Sequence, residues 1–408
     1  MKRLAPDEIR RNKIRAKRSF LNKLKRKNKI WIGVYKKDAQ SKYSSFLETF
    51  YFKNYTLIKP KLKQNALKIN EEDNLFENPE RVILFLLEIF NNAKIFQTVP
   101  TIIFKGRIRF STLYLLDNIC WEISRKRKWG FNFENMHKDD QYLFSSLRSF
   151  FSSNFENDSV YLLNEKVFIN RDDGKMGNQI YKEKSKDITD MVIRGVRENS
   201  NPNFELSQIA YQAISSTIGE HFDNIIQHAP KSEFGYLCGF YDKQLKEVHI
   251  LIFNFGKTIA ESLSVAELPI EVLGEISQVI VNHKKKRFFN LFEGSFSEEN
   301  ALTLLALQEG ISSKLEYDKS RGHGITDYIE HCFDLNNNTQ ITILSGKTAI
   351  VIDSKYRLEN KTFLDRERRV IAFNENNDLF EKPDNNYVKN MSVFFPGLII
   401  ETRIPLNI

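Results

Sequence analysis

The stretch Ile218-Gly219-Glu220-His221-Phe222-Asp223-Asn224-Ile225-Ile226-Gln227-His228-Ala229-Pro230 decides how the chain is read. Ile218, Phe222, Ile225, Ile226 and Ala229 recur at helical spacing and form one apolar stripe. Glu220, Asn224 and His228 stand four apart and share a second stripe on another face. A carboxylate and a carboxamide one turn apart suit a magnesium–nucleotide site. The carboxylate can take a proton from water, and the amide oxygen can ligate a hard cation. The same spacing also describes an ordinary amphipathic helix whose Glu and Asn face water.

Working outward, this helix is expected from about Phe204 to Ala229, ending at Pro230, which cannot continue it. Strands are expected at Phe234–Phe240 and Val248–Phe253, the second running into Asn254-Phe255-Gly256-Lys257-Thr258-Ile259. A long helical stretch with the charge run Lys284-Lys285-Lys286-Arg287 leads to Leu307-Gln308-Glu309-Gly310-Ile311-Ser312-Ser313-Lys314. Then comes Lys319-Ser320-Arg321-Gly322-His323-Gly324-Ile325, opening a helix through Tyr328 and Ile329. Glycines at a helix N-terminus let backbone amides approach phosphate oxygens, aided by the helix dipole. A flexible loop between helices is the alternative for Gly322 and Gly324. Strands at Ile341–Leu344, Ala349–Ile352 and Leu398–Ile404 follow, the last two separated by a polar insertion from about Asp353 to Lys389.

Upstream, Asn78-Pro79 reads as a helix start, with Asn as cap and Pro in the first turn. That helix continues through Val82, Leu86, Ile89 and Phe90. A strand-like run at Ile30–Tyr35, a buried-strand pattern at Thr101–Phe104 and an amphipathic segment from about Ser111 to Ser124 complete a small α/β domain over 31–150. Residues 151–200 are polar and are expected to be a link. Within it, Arg171-Asp172-Asp173-Gly174-Lys175 fits a turn better than a metal loop, because no further carboxylates follow at ligand spacing. The fold class expected is α+β, with a larger domain over 201–408.

A chain of 408 residues has ample material for two or three domains. No apolar run reaches membrane-span length, and the N-terminus lacks the apolar core of a signal peptide, so cytoplasm is the expected compartment and no membrane partner is expected. Cys120, Cys238 and Cys332 match no metal or redox spacing and read as reduced thiols at core positions. Residues 1–30 carry thirteen Lys and Arg against Asp7 and Glu8, which more than accounts for the net charge of +9. The basicity therefore belongs to an N-terminal extension, which could touch nucleic acid or an acidic partner, or be a solvated tail.

In this order, the pieces resemble the ATP-binding domain shared by DNA gyrase, the heat-shock chaperone of the same class, histidine kinases and MutL, the GHKL family. Glu220, Asn224, His228 and Ala229 match its first box. Asn254-Phe255-Gly256-Lys257-Thr258 stands where the second box reads Asp-x-Gly-x-Gly, and Gly322-His323-Gly324-Ile325 fits the third. Phe395-Pro396-Gly397 is similar to the family's closing segment. The resemblance covers about residues 200–408 and implies a two-layer α/β sandwich of GHKL (Bergerat) type, with ATP and Mg2+ as cofactors. It implies that Asn224 ligates magnesium and that Glu220 is the catalytic residue, orienting or deprotonating the attacking water. Gly256 would let the chain pass close to the adenine. Gly322, His323 and Gly324 would form the phosphate turn, and Lys319 and Arg321 would either reach the phosphates from the lid or stand as solvated lid charges. The 31–150 region resembles, in its strand, loop and helix order, the small domain of anti-sigma-factor antagonists.

Two positions depart from the family. Asn254 replaces the adenine-reading Asp, so a neutral amide oxygen would accept where a carboxylate does so more strongly. Thr258 replaces a glycine that packs against the base. The expected function is a magnesium-dependent ATPase or nucleotide-driven switch acting on a partner protein through the N-terminal region. A protein kinase of anti-sigma or histidine-kinase type is one alternative, although His137, the sole histidine upstream of the first box, lacks the His-Glu and nearby Pro pattern of a phosphoacceptor. A degenerate, non-catalytic binding module is the other, and a homodimer is left open. Trimming residues 1–30 is expected to leave nucleotide binding unchanged and to weaken salt-sensitive polyanion binding in a filter-binding titration; unchanged polyanion affinity would rule the tail out.

Overall fold

A computed structural model describes residues 45–57, 65–96, 100–127, 131–138, 140, 160–168, 174–199, 201–208, 210–212, 214–219, 234–242, 245–265, 268–289, 296–311, 324–363 and 366–406. The first unit runs helix α1 (Ser45–Lys53), strand β1 (Ala66–Asn70), helix α2 (Pro79–Asn91), strand β2 (Thr101–Lys105), helix α3 (Phe110–Arg127) and strand β3 (Phe133–Glu134). The three strands pair in the order β1-β2-β3, all parallel. Parallel neighbours need a crossover, and α2 and α3 supply them. Helix α2 starts where Asn78-Pro79 predicts, with Pro in its first turn, but Asn78 only occupies the cap position and its side chain makes no cap hydrogen bond; the helix buries Val82, Ile83, Leu86, Ile89 and Phe90. The strand expected at Ile30–Tyr35 lies outside the described residues.

The second unit begins with strand β4 (Val160–Phe168) and helix α4 (Gly174–Asn199), followed by helical residues between 208 and 219. Then come strands β5 (Phe234–Asp242) and β6 (Glu247–Phe255), helices α5 (Ile259–Val265), α6 (Ile270–Phe289), α7 (Glu298–Leu305) and α8 (Gly324–Leu335), and strands β7 (Gln340–Ile352), β8 (Glu359–Phe363), β9 (Arg366–Val370) and β10 (Val388–Pro405). Five strands form a sheet in the order β4-β5-β6-β10-β7 with every pair antiparallel, while β8 and β9 pair as a separate hairpin. The protein is α+β, with one parallel and two antiparallel sheets among the described residues.

Three expectations change. The stretch 151–200 is more than a link: β4 pairs along β5, and α4 buries Ile188, Met191, Val192 and Val196, an apolar stripe diluted by the charges around it. The two strands expected at Ile341–Leu344 and Ala349–Ile352 are one 13-residue strand, because Gly346 joins them at φ +61, a left-handed value that glycine adopts freely. The polar insertion 353–389 contains the β8–β9 hairpin.

The large sheet is covered on both faces. Val248, Ile250 and Ile252 of β6 join α4, α6, α7 and α8 in one core. Leu251, Phe253 and Phe255, facing the other way, share a second core with α1, α2 and α3. The two units therefore share a hydrophobic interior, and the small one packs as a lid on the back of the large sheet. Cys120, Cys238 and Cys332 are buried free thiols as expected; burial pushes the first two well up and Cys332 to about 12, which makes them poor nucleophiles.

The union is sealed by a side chain acting as a strand. The register of β10 against β7 shifts between Asn390 and Phe395. Asn54, 1% exposed, fills the gap: its Nδ2 donates to the Phe394 carbonyl at 2.8 Å, and its Oδ1 accepts the Phe394 N–H at 2.6 Å. Asn54→Ala leaves both backbone groups unsatisfied and is expected to cost about 1–3 kcal/mol, read as a lower urea midpoint at unchanged slope.

Candidate functional site

Strand alternation puts the Asn254 side chain on the helical face of the sheet, in phase with Val248, Ile250 and Ile252. Asn254 is buried, and its Oδ1 accepts the Leu398 N–H at 3.1 Å. Its neighbour on β10, Gly397, has φ +130, and a Cβ there would lie 2.1 Å from the Asn254 carbonyl oxygen. The Pro396 carbonyl accepts the Gly256 N–H at 3.3 Å. The Phe395-Pro396-Gly397 segment is thus a kink in β10 shaped around the end of β6.

Thr258 has a structural duty here. Its Oγ1 accepts the Glu261 N–H at 3.0 Å, and the Glu261 carboxylate accepts the Thr258 N–H at 3.1 Å. This reciprocal cap opens α5, a task a glycine could not perform. The same corner is braced by Ser345, whose Oγ accepts the Ile259 N–H at 2.9 Å and donates to the Gly397 carbonyl at 2.7 Å. Glu299 of α7 accepts the Lys347 N–H at 2.9 Å, and burial pushes its carboxyl above the usual range. Lys53 of α1 reaches across to Glu261 at 3.5 Å.

Two other elements run toward this end of the sheet. In α8, Tyr328 Oη lies 2.6 Å from Thr402 Oγ1, and Asn336, just past the helix, donates to the Pro405 carbonyl at 2.9 Å. The helix therefore advances along β10 in the same direction as the strand. Its first residue, Gly324, stands about 6 Å before Tyr328, on the side of Leu398, the partner of Asn254. The described helical residues between 208 and 219 run antiparallel to α4: Tyr211 donates to Asp190 at 3.0 Å, while Gly219 lies against Ser185. Helix α4 packs Ile188 and Met191 on Gly239 of β5 and Gly195 on Tyr241, so Ser185 lies toward Leu237 and Gly235. Gly235 is the other ladder partner of Asn254. The end of β6, the start of α8 and residue 219 thus border one end of one sheet face.

Of the expected site residues, Asn254, Gly256 and Gly324 are among those described. Glu220, Asn224, Lys319, Arg321, Gly322 and His323 lie outside the described residues. Among the described residues no group of His, Cys, Asp and Glu could hold a metal ion. A cleft of about 510 Å³ lies within the insertion, lined by Lys355, Arg357, Lys382, Glu375 and Asp384 among others, and holds none of the expected residues. Its acids and bases balance, and Lys355 is engaged by Asp384 at 3.0 Å and by the rings of Tyr356 and Tyr387.

Sequence reading missed an arginine hub. Arg369 of β9 binds Glu309 through Nε at 3.1 Å, Asp327 at 2.6 Å and Glu330 at 2.5 Å. It joins the hairpin to the chain before 312 and to α8. Pairing so distant in sequence leaves no periodic signal; the sole hint was the basic run Arg366, Arg368 and Arg369 in a polar insertion.

Compared with family models, curated proteins and solved structures, the chain matches none. Among the described residues no helix is long and apolar enough to cross a membrane. Gly397→Ala forces a side chain into the Asn254 carbonyl at a left-handed φ; it is expected to cost about 3 kcal/mol or more in chemical denaturation.

Proposed function

We propose that this chain is an ATP-binding protein of GHKL type, a magnesium-dependent ATPase or nucleotide-driven switch that acts on a partner through its N-terminal unit. The observation that supports the reading is convergence. Residue 219, just before the first box, the Asn254–Gly256 end of β6 and Gly324 at the start of α8 border one end of one sheet face, although they are far apart in sequence. The layer of helices over that face also accords with a sandwich of Bergerat type.

Bound ATP would supply the phosphoanhydride, and Mg2+ would neutralise its developing charge. Asn224 would give magnesium one amide oxygen, a hard donor of the kind that cation takes. Glu220, one turn away, would hold the attacking water and accept its proton. Gly322, His323 and Gly324 would present amides to the phosphates at the N-terminus of α8, with Lys319 and Arg321 as cationic contacts. Asn254 and Gly256 would border the base. Lys53 and Glu261 link α1 to this corner, a route from the site to the N-terminal unit.

A binding module without turnover is the second reading, favoured by one feature. The Asn254 amide oxygen already accepts the Leu398 N–H, which weakens it as an acceptor for the base. The kinase reading gains little from His137, which is exposed beyond β3 and not on a long helix.

The test is thermal shift with ATP, ADP and GTP, each with and without Mg2+, together with phosphate release. ATP with Mg2+ is expected to raise Tm by several degrees at saturating ligand. Phosphate release should fall at least a hundredfold in Glu220→Ala while binding persists. Absence of a shift with every nucleotide would overturn the reading and select the degenerate binding module; a shift without phosphate release would select the nucleotide-driven switch over the ATPase.

A further inference from the structure

A chain of charged groups runs through the interface between the two units, away from the proposed nucleotide corner. From the loop between β2 and α3, Arg107 pairs with Asp242 at the end of β5. Arg109 pairs with Glu247 at the start of β6 at 3.3 Å. Glu247 also lies 3.6 Å from Arg403 Nε and 3.4 Å from His249 Nε2. On its other side, His249 Nδ1 stands 3.8 Å from Glu401 Oε1, a distance that makes an ion pair rather than a hydrogen bond. Glu401 is 1% exposed, and neither carboxylate oxygen has a hydrogen-bond partner. The N-terminal unit supplies the lid: Phe110 of α3 stacks on Phe240 at 4.7 Å, and both rings lie near the imidazole.

We propose that His249 is a proton-operated clasp, charged when the N-terminal unit is docked on the sheet and loosening that docking when it becomes neutral. The reason is electrostatic. Glu247 keeps Arg109 and Arg403 whatever the imidazole does. Glu401 has His249 as its one cation within ion-pair distance among the described residues, and an unpaired buried carboxylate is strongly destabilising. The other groups facing this region are Asp242 and Arg107, which pair with each other; Tyr114 and Asp117 of α3; Cys238 of β5; Thr342 of β7; and Asp140, which accepts the Ile108 N–H at 2.9 Å.

The titration agrees in direction. Burial pushes the imidazole down, but Glu247 and Glu401 outweigh it and raise His249 above its ordinary value. Because the folded value is raised, the stabilisation is complete below the unfolded value near about pH 6.5 and is lost as pH climbs through the higher folded value.

The full chain is tested by hydrogen exchange, corrected for intrinsic rates, from about pH 6 to about pH 9. Amides of Phe110–Arg127 are expected to lose protection as pH rises, by up to about tenfold for each unit by which His249 is raised. His249→Gln should show weak protection there at every pH, with the slope gone. Glu401→Gln removes the charge that needs a cation and should hold protection at high pH. If His249→Gln does not fold, Glu401→Gln decides alone: a flat profile supports the clasp, and a wild-type slope overturns it. Protection lost in parallel by the β8–β9 hairpin would mean general unfolding and would also overturn it.

Discussion

Strand β6 is apolar in both directions from its axis, and the architecture answers to that. Val248, Ile250 and Ile252 would expose one row of large side chains, and Leu251, Phe253 and Phe255 another, if either cover were absent. Each such side chain is worth roughly 1.5–3 kcal/mol when fully buried. Helices cover one face, and the small parallel-sheet unit covers the other. Tyr236 lies flat on Phe253, with centroids 4.3 Å apart and planes 3° from parallel, in the middle of the second interface. A chain with this strand needs two covers, so the N-terminal unit is structurally obligatory to the sheet whatever else it does.

Polarity collects at the two ends of that strand, for different reasons. At Glu247 and His249, ionisable groups sit in a dry interface and must find one another, because an unpaired buried charge is costly. At Asn254 and Gly256, the backbone needs help to end the ladder: the amide of Asn254, the kink at Gly397, the hydroxyl of Ser345 and the cap at Thr258 each satisfy one or two groups. His249, Arg403 and Arg109 hold the Glu247 carboxyl below its usual range against the upward push of burial, so that acid stays charged within the interface.

What the sequence disclosed followed its local signals. Pro79 announced the start of α2, and the apolar run at 248–253 announced β6, because a first-turn proline and a strand's apolar run are written within a few residues. The order of Asn254 and Gly324 along the chain was also plain. What stayed hidden depended on partners far away. Gly346 reads as a break between strands, since the left-handed φ and the close Glu299 and Thr258 side chains that explain a glycine inside one leave no local trace. Thr258 reads as a crowded glycine position in the sequence, whereas in the structure it completes a reciprocal cap with Glu261. Helix α4 carried an apolar stripe, but its surrounding charges gave the region the composition of a tether.

Arg369 concentrates in one guanidinium what most surfaces spread over several pairs. Its loss would strand three carboxylates together, whereas loss of any single acid leaves the cation two others. Tolerance to change at this hub is therefore lopsided. A lineage carrying this hairpin can exchange its acids one at a time, but the base that gathers them has no gradual way out.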